Sequence, residues 1–298
     1  MATLPRERIS AAAEHLYHAD AYVLSAELKQ PVSKDIEKQA LVELPVDGKY
    51  TFKRAEPFEL FGVLSYKSGY TQVAGHPSSK GHGFTTLATS VLEDINVLDV
   101  VTADRVVGQI STEHPIDGQV PSVTFLGTRF VNLRIGGHKV EVDQDPHILG
   151  PKPVDDRSYF DDPDVLARMS RQYTKIRETK DLPEGASEQF RWDKAATQNQ
   201  GKATCSLVNK ISGAPGTSFG HVIDLPHFGK IFLGELGVER RPPTEPGGNE
   251  TYHFHLTMIR LEMGCIGTGN SNIVSLDSNG QGKGGPTPPP PPPAMPKR

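Results

Sequence analysis

The chain has 298 residues, 36% of them hydrophobic, and 32 Lys+Arg against 36 Asp+Glu leave a formal charge of -4. So mild a balance excludes a broad basic face for nucleic acid. No apolar run reaches the roughly 18 residues of a membrane-spanning helix, and the apolar content suits one sizeable core or two small ones.

The opening MATLPRERISAAAEHLYHAD lacks the basic-then-apolar order of a secretory leader, so the protein is expected in the cytoplasm, or outside if a leader has been removed. Ile9, Ala12, Ala13 and Leu16 have the spacing of a short helix. In DAYVLSAELK, Tyr22, Leu24, Ala26 and Leu28 alternate with Ser25 and Glu27, the period of a half-buried strand. PFELFGVLSY continues that pattern. NVLDVVTADRVVGQIST is rich in β-branched residues, with Gly108 as a bulge or close-approach position.

VNLRIGGHKVEV predicts a β-hairpin: Val131, Leu133 and Ile135 alternate inward, Gly136 and Gly137 supply the positive φ of a tight turn, and Val140 and Val142 alternate on the return. From Asp162 the pattern changes. An N-cap Asp, Pro163 at the first position, and Val165, Met169, Tyr173 and Ile176 at spacings of three and four predict an amphipathic helix. It forms part of an insertion over about 157–195, packed on a sheet. Strands follow at KIFLGELGVER, TYHFHLTMIRLEM and NIVSLD. From Gly280 the chain turns to glycine and then to six consecutive prolines, which favour a solvated polyproline II rod; residues 280–298 read as a disordered tail that binds a partner or acts as a spacer.

Few residues suggest chemistry. Cys205 and Cys265 lie in or beside strand segments and would either form a disulfide in an oxidising compartment or stay reduced as small buried hydrophobes. His253 and His255 stand two apart on a strand, so both imidazoles face one side and could share a divalent metal ion, with His221, His227 or Glu262 as a further ligand. The stretch GGNETYHFH is similar to the opening of a cupin metal motif, but Glu262 comes too late to complete it. GTSFG matches a nucleophile elbow around Ser218, yet Pro226 and Gly229 deny it the following helix, so a turn is the simpler reading. Asp143, Asp145, Asp155, Asp156, Asp161, Asp162 and Asp164 read as a solvated loop and a capped helix start rather than a calcium loop. Asn249-Glu250-Thr251 is a glycosylation sequon. Carbohydrate binding on a sheet face is disfavoured, because Trp192 is the single tryptophan and the eight tyrosines do not alternate along one predicted strand.

AYVLSAEL, VVTADRVVGQIST with FLGTRFVNLRIGGHKVEV, and YHFHLTMIRLEM with GTGNSNIVSLDSNG resemble, in that order, the landmarks of bacterial choice-of-anchor P proteins. The resemblance implies an exported or surface-associated β-rich protein and supplies no functional residue.

The expectation is one mainly antiparallel β-sandwich or related two-sheet β domain over residues 1–279 with one helical insertion. Its expected function is non-enzymatic: a structural or binding protein of the cell surface or envelope, with protein partners or self-association through sheet edges. No cofactor is expected. The alternative is a metal-dependent enzyme built on His253 and His255.

Overall fold

The computed structural model describes residues 15–30, 33–78, 83–115, 120–151, 156–242, 250–264 and 268–281. The first half of the chain forms the strands Ala19–Gln30 (β1), Lys34–Gln39 (β2), Val42–Glu43 (β3), Lys49–Ala55 (β4), Phe58–Leu60 (β5), Leu64–Tyr66 (β6) and Ser68–Pro77 (β7). Two long strands, Gly83–Val97 (β8) and Val101–Pro115 (β9), precede the short Ser122–Thr124 (β10), Arg129–Val131 (β11), Arg134–Ile135 (β12), His138–Lys139 (β13) and Glu141–Gln144 (β14). Three helices interrupt: Pro163–Arg177 (α1), Ala186–Gln189 (α2) and Lys194–Gln200 (α3). The remaining strands are Lys202–Ser206 (β15), Val208–Ser212 (β16), Thr217–Phe219 (β17), Val222–Leu225 (β18), Gly229–Arg241 (β19), Thr251–Met263 (β20) and Thr268–Gln281 (β21).

These strands pair antiparallel into two large sheets. Sheet I has the order β17-β18-β19-β20-β21-β1-β2, with β15 also on β19 and β3 on β1. Sheet II runs β13-β12-β9-β8-β6-β5, with β7 on β8, β4 on β7, and β10 and β11 on β9. β14 and β16 make a small separate ladder. The sheets face each other as a mainly β sandwich whose core includes Val73, Ala88, Leu92, Val106 and Ile110 from sheet II and Leu24, Leu236, Phe254, Leu256 and Leu276 from sheet I.

The approach of the sheets explains Gly108. A Cβ on that residue would stand 2.5 Å from Leu276 Cδ1 and 2.8 Å from Val274 Cγ1, so glycine is what lets β9 come this near to β21. Several buried hydroxyls between the sheets are paired, although those of Thr86 and Ser271 are not. Ser90 Oγ donates to the Tyr22 carbonyl at 3.0 Å, Thr71 Oγ1 to the Ala40 carbonyl at 2.5 Å, and the Thr112 and Ser278 hydroxyls meet at 3.2 Å.

Sheet I carries a kink that the alternation in the sequence does not announce. Pairing skips Gly234 and Met258 between β19 and β20, Met258 and Val274 between β20 and β21, and Val23 and Val274 between β21 and β1. Gly234 and Val274 take φ of 60° and 56°, the left-handed region, where a β-branched residue is rare. Across the kink the inward parity changes, so Val23 and Leu24 are both buried and Tyr22 falls on the outer face under the Lys38 ammonium, 4.8 Å from its ring centre. Grouping Tyr22 with Leu24 on one face is thus corrected.

Several local expectations are refined. Residues 15–18 are not helical, and 1–14 lie outside the described residues. PFELFGVLSY is a hairpin, β5 to β6, turning at Phe61 and Gly62 with positive φ. Gly136 and Gly137, at φ of 54° and 79°, turn β12 into β13, but the return strand soon leaves: Glu141–Gln144 pairs with β16 instead. Asp162 caps α1 by accepting from the Asp164 and Val165 amides, with Pro163 at the helix start. Ile176, Ala186, Phe190, Phe219, Val222 and Phe232 form a second small core, where the helices cover the outside of sheet I. The proline-rich tail lies outside the described residues.

Candidate functional site

The histidine pair is on the outer face of sheet I, side by side along β20, as the spacing requires. His255 is set opposite Asp277 by the β20–β21 register, and its Nδ1 lies 2.9 Å from Asp277 Oδ2. Its Nε2 lies 3.1 Å from the Thr257 hydroxyl and 3.4 Å from the Ser275 hydroxyl. Both ring nitrogens are therefore engaged, and neither faces a vacant ligand position. His253 meets His18 edge to face at 6.3 Å. Among the described residues, no group of three or more His, Cys, Asp or Glu stands where it could hold a metal ion. His221 is instead drawn to Glu235, 3.5 Å from its carboxylate.

A hydroxyl, an imidazole and a carboxylate in line have the order of an acyl-transfer relay. Access decides against catalysis here. Ser275 and Thr257 are buried, and the amides around them serve the strand ladder, so a substrate carbonyl has neither an approach nor an oxyanion hole.

The two histidines respond oppositely to acid. Burial, reinforced by the Arg241 charge, lowers His253 to about 4. Burial also works to lower His255, but the Asp277 carboxylate outweighs it and the pKa rises. Below pH ~6.5 the unfolded state takes up the His253 proton first, so this residue removes stability as the pH falls from 6.5 to 4. The His255 contribution is complete below ~6.5 and is lost as the pH rises through its elevated folded value. Accordingly His253→Gln should flatten the acid-side decline by about 1 kcal/mol after solvent screening, and His255→Gln should flatten the decline above 6.5. Urea midpoints at pH 4, 5.5, 6.5 and 8 measure both slopes, and identical slopes in the wild type and His253→Gln would refute the assignment.

The other sequence candidates among the described residues occupy positions within the strand and loop framework. Cys205 is a free, buried thiol on β15, pushed up to about 12 by burial, which makes it a poor nucleophile. Cys265 lies outside the described residues, as do Asp155 and Asn249. Ser218 sits within β17, paired with Ile223 of β18, rather than on an elbow. The acidic loop caps and pairs: Asp145 accepts from the His147 amide, Asp156 from the Val120 amide, and Asp143 from the Asn209 side chain.

The feature missed by sequence reasoning is on the outer face of sheet II. Tyr50 and Phe52 alternate along β4, and Tyr70 joins them from β7, where Arg54 is its cross-strand partner and Phe52 lies diagonal to it. The rings are near-parallel, Tyr50 to Phe52 at 6.5 Å and 13°, Phe52 to Tyr70 at 5.8 Å and 29°. Tyr50 remains 60% exposed and Phe52 43%. Gln72 lies beside them and accepts a long hydrogen bond from the Tyr50 hydroxyl. Next to the rings, a groove of about 780 Å³ is lined by Phe52, Arg54, Tyr70, Gln72, Ser68 and Glu93, among others. The Ser68 hydroxyl donates to Glu93 at 2.6 Å, and Arg105 Nε stands 3.6 Å from the same carboxylate. The signal was legible as Tyr50-x-Phe52-x-Arg54 in KYTFKRA, a segment whose charges hide its strand character.

Fold and surface together define a β-sandwich with an open aromatic groove on one face. The chain belongs to the family described as Domain of unknown function (DUF8256), whose model matches residues 15–239. No curated protein and no solved structure matches it.

Proposed function

We propose that this is a non-enzymatic binding protein whose contact surface is the outer face of sheet II. The observation that supports it is the Tyr50–Phe52–Tyr70 array beside the groove, with Tyr50 and Phe52 exposed and Tyr70 half-buried, an apolar surface that water leaves unfavourably solvated until a ligand covers it. The strand edges are less suited to association. β2 carries Lys34, Asp35, Glu37 and Lys38, and β4 carries Lys49, Lys53 and Arg54, charges that resist pairing with another strand.

A thermal-shift screen of the intact protein against oligosaccharides, peptides, nucleotides and divalent cations tests this reading. At least one class should raise the wild-type Tm by a few degrees, as expected for a ligand well above its Kd. The shift should vanish in Phe52→Ala, Tyr70→Ala. A ligand that stabilises this variant equally would overturn the reading, and a cation shift lost in His253→Ala, His255→Ala would favour a metal-dependent enzyme in its place.

A further inference from the structure

We infer that the groove takes a neutral, hydroxyl-rich ligand, a chain of pyranose sugars; this rests on the binding reading above and names its ligand class. Three features of the groove point to it. The first is the balance of charge. Arg54 and Lys67 line the groove with Glu56 and Glu93, two of each sign. Lys67 is within 3.5 Å of Asp94, and Glu93 is already held by Ser68 and Arg105. With the two signs balanced in number and Lys67 and Glu93 already paired, the surface offers little net field to select an ionic ligand.

The second feature is the mixture of ring faces and planar polar groups. A pyranose presents C–H groups on its faces and hydroxyls around its rim. The C–H face packs on an aromatic ring, while the rim needs donors and acceptors beside that ring. Phe52 and Tyr70 supply the first, and Gln72, with both an amide donor and a carbonyl acceptor, supplies the second. A peptide strand would instead look for unpaired backbone along β4, where Lys49, Lys53 and Arg54 stand. A stable protein interface needs about 800 Å² from each partner, more than an array of three rings provides.

The third feature is length. A second depression of about 470 Å³, lined by Phe58, Tyr66 and Asp94, shares Pro57 and Lys67 with the groove. Phe58 and Tyr66 are stacked there at 5.7 Å and 20°. Tyr66 is buried in the core, so this depression lengthens the trough without adding a second open ring face; a trough of that length fits several consecutive sugar units better than a single one, and affinity should rise with chain length until it is filled.

Affinity electrophoresis of the full chain in gels containing soluble β-glucan, xylan, galactomannan, dextran or polygalacturonate tests this, with titration calorimetry on graded oligosaccharides of any polymer that binds. The expected result is retardation by at least one neutral polymer, little affected by added salt. Phe52→Ala and Gln72→Leu, both on the exposed face, should each weaken it about tenfold. Circular dichroism of the variants separates lost binding from lost folding. Retardation by none of the neutral polymers, binding unchanged in both variants, or binding only to polygalacturonate that salt abolishes would overturn the assignment. If the sugars fail while peptides or nucleotides shift the Tm through Phe52 and Tyr70, the binding reading stands and the ligand class falls.

Discussion

Replacing Arg260 by alanine is expected to cost about 3 kcal/mol at pH 7, because it strands a largely buried carboxylate. Arg260 Nε donates to Glu235 Oε2 at 2.5 Å and Nη2 to Oε1 at 3.0 Å, Nη1 pairs with Glu262, and the guanidinium lies 3.6 Å from the centre of the Phe232 ring. Burial alone would raise the Glu235 pKa, but His221 and Arg260 reverse that and bring it down to about 2. A folded pKa below the unfolded value of ~4.5 stabilises the protein above pH 4.5, and that contribution is lost as the pH falls toward 2. The gap between wild type and Arg260→Ala should therefore be widest at neutral pH and close progressively in acid. Urea unfolding at pH 7 and pH 3 measures it. Equal gaps at the two pH values would mean that lost packing on Phe232, not the stranded charge, is the cause. Arg260→Met, which keeps a long apolar stem over that ring, should retain most of the defect.

A chain cut after Pro242 is expected to have no cooperative unfolding transition. The family match ends at residue 239, so an excision guided by it would remove β20 and β21. Both strands lie inside sheet I, between β19 and β1. They carry Tyr252, Phe254, Leu256, Met258, Ile259, Leu261, Ile273, Val274 and Leu276, all fully buried. Each such side chain is worth about 1.5–3 kcal/mol, so their joint loss exceeds the ~5–15 kcal/mol by which a folded domain is stable. The cut also opens the facing edges of β19 and β1 and uncovers apolar side chains from β8 and β9. A broad urea transition with strong binding of a hydrophobic dye is the expected result, whereas a sharp transition would show that the first 242 residues are self-sufficient.

The long strands and α1 could be read from the chain because their signals are local: a period of two in Tyr252–Met258, a capped start at Asp162 and Pro163. The kink across sheet I could not, since it depends on Val23, Met258, Val274 and Gly234 coming into line from four separate strands. Buried hydroxyls also escaped. Thr71, Ser90 and Thr112 look solvent-facing in a hydropathy pattern and are buried because each finds a partner inside the sandwich. At the histidine site, the sequence correctly places His253 and His255 side by side, but Asp277, which engages a ring nitrogen, enters only through the register with β21. The aromatic array was missed for a different reason: Tyr50 and Phe52 alternate within a segment whose charges hide its strand character, and their apolar face is turned to solvent.

The position of β21 between β20 and β1 also has a consequence for biosynthesis. Ala19 finds its neighbour in Ser278, so the first long strand must wait until nearly the whole described chain has left the ribosome. At about 5–20 residues per second, that interval is on the order of ten seconds or more. During it β1 has an open flank to which another nascent chain could bind. Misassembly between copies is therefore most exposed during translation, and slowing synthesis should lower the soluble yield even though the finished molecule is unchanged.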